Sequence, residues 1–324
     1  MKRLLGIDIG GTKCAAIAGI WRPGTDKPLV ERRLVWPTPA GPETGVARIL
    51  EAARELGAKE DFVAAGISCG GPLDGETGLI LSPPNLPGWD RVPICALLSQ
   101  ELGTPVRLRN DADACALAEF AFGAGQGCRN MVFLTFGTGL GAGLILNGQL
   151  YSGASSMAGE AGHMRLAPLG PVGYGKAGSF EGFCSGGGLA QLGRLRALER
   201  LQAGNPAAYC PIPAQLDTVT ALSLAQAARA GDEVALAVYR ECGTWLGRGL
   251  ANLVDLLNPD RIVIGSIYAR CRDLLEPAMA EALSQEALPR SLAAVRILPA
   301  RLGDELGDLA SLSVAAELMG GIPQ

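Results

Sequence analysis

The sequence is poor in histidine and in charge. It has one histidine, His163, in 324 residues, and charged residues make up only 19% of the chain with a formal net charge of −4. Nucleic-acid binders usually carry a basic stripe, so we expect no nucleic-acid partner. No uncharged apolar run reaches the length of about 18 residues that a membrane span requires, so we expect no membrane partner.

Paired cysteines are also missing. The nine cysteines are scattered, and no two lie within three residues of each other, which excludes a C-x-x-C metal or redox pair. Scattered cysteines act mostly as small core residues in a reducing compartment. The first apolar run stops at Asp8, which is too short for a signal peptide. We therefore expect a cytoplasmic protein.

Apolar residues make up 48% of the chain, enough for a substantial core in two domains. Strand-like and helix-like patterns alternate, which predicts the α/β class. The run at 131–148 repeats the pattern of 4–20, an apolar run, a glycine turn and a second apolar run, so we expect two related halves. We place the first domain at 1–112 and the second at 113–307, with a last helix in 308–324 returning to the first.

The two glycine turns, DIGGTK at 8–13 and FGTGLGAG at 136–143, are candidate phosphate cradles. Glycines allow φ > 0 and bring several backbone N–H groups to one anion. Thr12 and Thr138 add hydroxyl donors, Lys13 adds a positive charge, and Asp8 could hold Mg²⁺ through water. Neither turn matches the Walker or dinucleotide pattern, and the alternative is two tight hairpins that need glycine. The shared pattern favours phosphate binding.

Asn110 and Asp111 stand between a predicted strand at 105–111 and a predicted helix at 111–123. The helix dipole stabilises an aspartate anion there by about 0.3–1 kcal/mol, so we expect Asp111 to be ionised at neutral pH. It could then accept a hydroxyl proton during phosphoryl transfer. The alternative is a helix cap without a catalytic role.

Two further segments hold polar groups among small residues. GEAGHM carries Glu160 and His163, and GSFEGFCSGGG carries Glu181. The histidine could be a metal ligand, a base, a group that binds a polyol, or a structural residue. The candidates downstream, Tyr174 and Ser179 with Cys184, make a poor zinc set.

Taken together, the motifs resemble those of the ROK sugar kinases (repressors, open reading frames, kinases), in the actin-like, ribonuclease-H-like superfamily. The matching stretches run almost from end to end: GIDIGGTK, GISCGGPLDGETG, PPNLPGW, RNDADACALAE, FLTFGTGLGAGLILNGQLYSG, GEAGHM, GSFEGFCSGGG, RIVIGS and LGDLASLSVAAEL. The resemblance implies a two-lobed actin-like ATPase fold, with ribonuclease-H-like lobes and a cleft between them.

The resemblance also implies roles for individual residues. The first phosphate loop would comprise Asp8, Gly10, Gly11, Thr12 and Lys13, and the second Gly137, Thr138 and Gly139, with Gly265 at the nucleotide. Asp111 matches the catalytic base, the sugar hydroxyls would be held by Asn110, Glu160, His163 and Glu181, and Gly71 and Asn85 fall in loops that border the sugar. The implied substrates are ATP with Mg²⁺ and a hexose or N-acetylhexosamine, phosphorylated at the 6-hydroxyl. The family also implies a homodimer.

The chain departs from the family pattern at three places. Many members bind a structural zinc through the histidine and a cysteine run, but here Tyr174 and Ser179 stand where cysteines would be. We expect no zinc and expect His163 to face the sugar. Asp113 replaces a usual asparagine, and GSIYAR at 265–270 replaces a common glycine pair, which affects the expected adenine contact.

Two other functions compete with the kinase. One is a non-catalytic sugar-sensing ROK protein, but ROK repressors carry an N-terminal helix-turn-helix domain, and this chain begins its first strand near residue 4, so we expect no DNA-binding domain. A sensor also has no need of Asp111 or DIGGTK. The other is an actin-like assembly protein, which GEAGHM and the Asn110–Asp111 pair disfavour.

Overall fold

The computed structural model describes residues 1–22, 27–57, 61–320 and 322. In chain order the strands are β1 Lys2–Ile9, β2 Lys13–Trp21, β3 Leu29–Pro37, β4 Ala64–Cys69, β5 Leu73–Asp74, β6 Leu79–Ile80, β7 Val106–Asn110, β8 Met131–Phe136, β9 Leu140–Leu146, β10 Gln149–Leu150, β11 Val172–Gly173, β12 Lys176–Ala177, β13 Arg261–Ile264 and β14 Arg296–Pro299. The helices are α1 Pro42–Leu56, α2 Ile94–Leu102, α3 Asp111–Phe122, α4 Phe180–Phe183, α5 Gly186–Gln202, α6 Ala221–Arg229, α7 Glu233–Leu257, α8 Ile267–Arg270, α9 Arg272–Glu286, α10 Pro289–Ala294 and α11 Leu306–Glu317.

The first sheet has the strand order β3-β2-β1-β4-β7. Strands β1, β2 and β3 form an antiparallel meander, and β4 and β7 add in parallel. Both faces are covered, since Ala65 and Ile67 of β4 lie in the core with α1 and α2, while Gly66 between them contacts the backbone of α11. Burial on both faces explains why β4, AAGISC, does not alternate between buried and exposed residues.

The second sheet has the order β10-β9-β8-β13-β14, which repeats the first. Each sheet starts with a hairpin that closes over a glycine loop, β1–β2 in one and β8–β9 in the other. The strands β13 and β14 are parallel, as β4 and β7 are. This repetition and the alternation of strands and helices confirm the predicted α/β class with two related halves.

The chain divides into two compact units. One contains Met1–Phe133, Gly143–Gly159 and Arg301–Gln324, and the other contains Leu134–Ala142 and Glu160–Ala300. These bounds differ from the predicted boundary after residue 112, because α3 packs against α11 within the first unit. In the predicted return segment 308–324, residues 321, 323 and 324 lie outside the described residues.

The cysteines and helices bear on two other expectations. Six of the nine cysteines are buried, and the described residues contain no disulfide. This agrees with their interpretation as small core residues. In the described part of the chain, no helix combines the length and apolar character that crossing a membrane would demand.

Candidate functional site

In the first unit, several candidate residues meet at the carboxyl edge of the first sheet. Asp8 lies at the end of β1 opposite Ser68 of β4, and Cys69 of β4 lies opposite Asn110 at the end of β7. A Cβ built on Gly71, just past β4, would lie 3.3 Å from Asn110 Nδ2. In open α/β sheets this edge is where ligands bind.

The strand-to-helix junction is a capped helix start. Asn110 is the N-cap of α3, and its Oδ1 accepts a hydrogen bond from the Ala112 N–H at 2.9 Å. Asp111 is the first residue of the helix, and its Oδ1 accepts from the same N–H at 2.8 Å. The cap interpretation therefore applies to Asn110, and the Asp111 carboxylate is held beside it.

Desolvation dominates the electrostatics of Asp111. Although the residue is exposed at the surface, desolvation by the surrounding protein raises its pKa, and the backbone N–H groups of Ala112 and of Asp111 itself oppose this. The expected ionisation of Asp111 rests on the helix dipole alone, and desolvation acts against it. A raised pKa brings the carboxylate nearer to the operating pH, which favours a proton acceptor.

Asp8 lies in a mixed charge cluster. Burial, followed by the charges of Asp111 and Asp308, raises the pKa of Asp8 to about 6, while Lys13 and Arg33 act in the opposite direction. Arg33 Nε lies 2.8 Å from Asp308 Oδ1. Sequence reasoning missed Asp308 and Arg33, since neither lies in a local motif with Asp8.

The first glycine loop closes the β1–β2 hairpin. The Gly10 N–H donates to the Lys13 carbonyl at 3.1 Å. Thr38, just after β3, donates its hydroxyl to the Gly10 carbonyl at 2.5 Å and its N–H to the Thr12 carbonyl at 3.1 Å. Thr38 was also missed, because WPTP gives no signal of a contact with a loop 28 residues away.

Three glycines of the two loops, Gly10, Gly11 and Gly139, are needed for close approach. Gly10, Gly11, Gly137 and Gly139 do not adopt positive φ, contrary to the sequence argument. A Cβ on Gly11 would lie 2.6 Å from the Cβ of Asn85, so the loop that carries Asn85 packs directly on the first glycine loop. This contact joins a predicted sugar loop to a predicted phosphate loop.

In the second unit, the glycine loop between β8 and β9 is held from several sides. The Gly137 N–H donates to the Gly139 carbonyl at 3.1 Å, and the Gly186 N–H donates to the Gly137 carbonyl at 2.8 Å. The Leu140 N–H donates to Glu181 Oε2 at 3.0 Å. The predicted loop and the predicted sugar residue Glu181 are therefore in direct contact.

Glu160 precedes a single 3₁₀ turn, Ala161–His163, and His163 ends it; both residues are exposed. The His163 N–H donates to the Glu160 carbonyl at 3.0 Å, and Lys176 Nζ donates to the His163 carbonyl at 2.7 Å. The imidazole meets the ring of Tyr174 edge-on at 6.3 Å. The turn thus holds the two predicted sugar residues on one short segment.

Ser179, which stands where many family members are expected to have a zinc-binding cysteine, has a structural role here. Ser179 is buried and caps α4 by accepting the Gly182 N–H at 3.0 Å. Within the described ranges, no group of three or more His, Cys, Asp or Glu side chains is arranged to hold a metal ion. The absence of a structural zinc stays a prediction.

Gly265 follows β13 beside the second loop. Its N–H donates to the Leu134 carbonyl at 2.9 Å, and a Cβ on Gly137 would lie 3.9 Å from Ser266 Oγ. Ser266, which replaces the second glycine of the common pair, has φ 51° and ψ −108°. The backbone keeps a conformation that favours glycine although the side chain is serine.

The candidate residues therefore form one group in each unit. The first group comprises Asp8, Gly10, Gly11, Thr12, Lys13, Gly71, Asn85, Asn110 and Asp111. The second comprises Gly137, Thr138, Gly139, Glu160, His163, Glu181 and Gly265. Each group contains a glycine loop and polar side chains that can form hydrogen bonds.

Known proteins resemble the chain over nearly its whole length. The family model described as "ROK family" matches residues 4–317. A glucokinase of Streptomyces coelicolor is 31% identical over 97% of both chains. The structure of a ROK hexokinase from Thermus thermophilus covers 98% of this chain and 99% of its own, with a TM-score of 0.78 and 31% identity.

A third relative was solved with ligands. The ROK family glucokinase from Streptomyces griseus, in complex with glucose and AMPPNP, is 31% identical, with a TM-score of 0.77 and coverage of 97% of this chain and 99% of its own. The family match and these structures carry the actin-like ATPase fold over to both sheets described above. The chain belongs to the ROK family.

Proposed function

We propose that the chain transfers the γ-phosphate of ATP to the 6-hydroxyl of a hexose or N-acetylhexosamine, with Asp111 as the base. That the chain is an ATP-dependent sugar kinase rests on its glucokinase relatives and on the relative that binds glucose and AMPPNP. The choice of hydroxyl and of base goes further. The choice of base is carried by one observation, a carboxylate with a raised pKa held at the start of α3 beside the Asn110 amide. The choice of the 6-hydroxyl follows from the family resemblance.

The proposed step needs little covalent chemistry from the protein. The 6-hydroxyl gives its proton to the Asp111 carboxylate as its oxygen forms a bond to the γ-phosphorus. The bond from that phosphorus to the bridging oxygen breaks, and ADP leaves. Positioning and charge stabilisation supply most of the rate in such transfers, and a placed base adds about 10²–10⁴-fold.

The sugar would be read by paired donors and acceptors. The Asn110 amide both donates and accepts hydrogen bonds, and the carboxylates of Glu160 and Glu181 accept them. A neutral His163 imidazole donates from one ring nitrogen and accepts at the other. Polyol hydroxyls donate and accept, so this set matches them. Within the first unit, Gly71 adjoins Asn110 and Asn85 packs on Gly11, so both loops lie beside residues of the first group.

The phosphates would bind at the two glycine loops. Thr12 and Thr138 are exposed, as is Lys13, whose ammonium would offset phosphate charge. Gly265 adjoins the second loop and would contact the nucleotide. Mg²⁺ bound with ATP would neutralise further phosphate charge. The residues fit this ion, because Asp8 is a carboxylate and its acidic neighbours Asp111 and Asp308 favour a cation. Asp8 would hold the ion through water.

The non-catalytic sensor is the less favoured alternative, since both glycine loops and the Asn110–Asp111 pair are in place. The cytoplasmic location and the homodimer stay predictions.

The test is a coupled ADP-release assay with ATP and Mg²⁺ against a panel of hexoses and N-acetylhexosamines. We expect one sugar to give a kcat/KM far above the rest, and ³¹P–¹H NMR of its product to place the phosphate at the 6-position. If no sugar is turned over while sugar binding is still detectable by thermal shift, the kinase proposal fails in favour of the sensor. Phosphate on another carbon would refute the 6-hydroxyl.

A further inference from the structure

We infer that Glu181 couples sugar binding to nucleotide binding, because the same carboxylate that is proposed to hold the sugar also anchors the second phosphate loop. This inference rests on the proposed function, which assigns the sugar to Glu181 and phosphate to Gly137–Gly139. It adds a second role for Glu181, as a positioning residue for the loop.

The anchor is a direct hydrogen bond at the end of the loop. The Leu140 N–H, in the first residue of β9, donates to Glu181 Oε2 at 3.0 Å, and Leu140 is buried. The neighbouring Gly139 leaves no space beside this bond, since a Cβ there would lie 2.7 Å from the same oxygen. The position of the carboxylate and the path of the loop therefore depend on each other.

The segment that follows Glu181 holds the other side of the loop. The Gly186 N–H donates to the Gly137 carbonyl at 2.8 Å, and the Gly187 N–H donates to the Thr138 carbonyl at 3.4 Å. Both donors lie in the first turn of α5, which is capped by the side chain of Ser185. Residues 181–187 thus contact the loop at both ends.

A carboxylate can serve two partners at once. It has two oxygens with about four lone-pair positions, so Glu181 can accept the Leu140 N–H and a sugar hydroxyl together. A sugar that orders the Glu181 side chain also orders the loop. By linkage, phosphate that orders the loop must favour sugar binding by the same factor.

The test measures the two affinities separately by calorimetry on the whole chain. The probes are AMPPNP with Mg²⁺, and the hexose selected by the ADP-release panel. In Glu181→Ala we expect AMPPNP affinity without sugar to fall about 10-fold, because the loop loses a charge-assisted anchor. In Gly139→Ala we expect sugar affinity to fall by a similar factor of about 10, because the new Cβ displaces the carboxylate.

Two variants separate anchoring from sugar contact. Glu181→Gln keeps an acceptor oxygen for the Leu140 N–H, so AMPPNP affinity without sugar should stay near that of the wild type while sugar affinity falls. Glu160→Ala removes another carboxylate proposed to bind the sugar, so it should lower the affinity for sugar but not the affinity for AMPPNP.

A double variant tests whether the two substitutions act through the same carboxylate. In Gly139→Ala/Glu181→Ala, the loss of sugar affinity should not exceed that of Glu181→Ala alone.

Three results would overturn the inference. The first is a Glu181→Ala protein whose AMPPNP affinity matches that of Glu160→Ala, and the second is a Gly139→Ala protein with unchanged sugar affinity. The third is additive losses in the double variant. Should Glu181→Ala fail to fold, Glu181→Gln and Gly139→Ala still decide. Failure of the proposed function looks different, since the wild type would then turn over no sugar in the ADP-release panel.

Discussion

Asn110 and Asp111 share one hydrogen-bond donor, the Ala112 N–H, at 2.9 and 2.8 Å. Asn110 caps α3, and Asp111, the proposed base, is the first residue of that helix. Asn110 therefore has a structural role and a proposed sugar role, which two substitutions can separate.

Replacing Asn110 tests this division. Asn110→Ala should lose about 1 kcal/mol of stability with the cap and should also raise the KM for the sugar. Asn110→Ser keeps a capping oxygen without adding charge, so its free energy of unfolding should stay near that of the wild type while its KM rises as in the alanine variant. Urea denaturation and steady-state kinetics measure the two effects. A serine variant with wild-type KM would remove the amide from sugar binding.

Asp8 should make stability depend on pH. Its pKa is raised from 3.8 to about 6 in the folded protein, mainly by burial and then by Asp111 and Asp308. The stability that this group contributes is therefore fully present below about pH 4 and is lost as pH rises through about 6. Asp8→Asn stays neutral throughout, so without ligands it should exceed the wild type in Tm most at pH 7–8 and least near pH 4.

Thermal melts of both proteins between pH 4 and 8 check this prediction. A Tm difference that does not change with pH would contradict it. In the ADP-release assay, the same Asp8→Asn protein should lose turnover, because asparagine lacks the negative charge with which Asp8 is proposed to hold Mg²⁺.

Ser266 should carry a stability cost. Its φ of 51° is disfavoured for any residue with a Cβ, by about 1–2 kcal/mol. Ser266→Gly should therefore raise the free energy of unfolding. The greater freedom of glycine in the unfolded chain offsets part of this gain, so we expect a net increase of about 1 kcal/mol. Ser284→Gly is the control, since Ser284 is exposed inside α9 and glycine there should destabilise. Denaturant titration measures both variants, and a loss of stability in each would contradict the prediction.

Metal analysis tests the expected lack of zinc. Tyr174 and Ser179 carry hydroxyl groups and supply no thiolate. Tyr174 contacts the ring of His163, and the Ser179 hydroxyl caps α4. The purified protein should contain well below one zinc per chain, and its Tm should not change on treatment with a chelator. Stoichiometric zinc would mean that the ligand argument is wrong.

Local patterns predicted much of the fold. The two glycine hairpins and the strand-to-helix junction at Asn110 each depend on adjacent residues, and the structure has β1–β2, β8–β9 and α3 close to the expected bounds. Helix α5 was missed, because its first three residues are glycines, which are poor helix formers. Its Ser185 cap was the available signal.

Contacts between distant segments could not be read from the sequence. Thr38 supports Gly10, Asp308 pairs with Arg33, and Leu140 contacts Glu181, but no spacing rule joins such residues. The glycines of both loops were expected to be needed for positive φ. The structure assigns Gly11 and Gly139 to close approach instead, which depends on neighbours that only the folded chain supplies.

Asp111→Asn is the most direct test of the proposed mechanism, because Asn has nearly the same size and its oxygen can still accept the Ala112 N–H. Asp113→Asn is the matched control, since it makes the same change two residues on in the same helix. With the preferred sugar, kcat of Asp111→Asn should fall by about 10²–10⁴-fold while sugar affinity is largely kept, and Asp113→Asn should turn over like the wild type. Near-normal turnover in Asp111→Asn would contradict the assignment of Asp111 as the base.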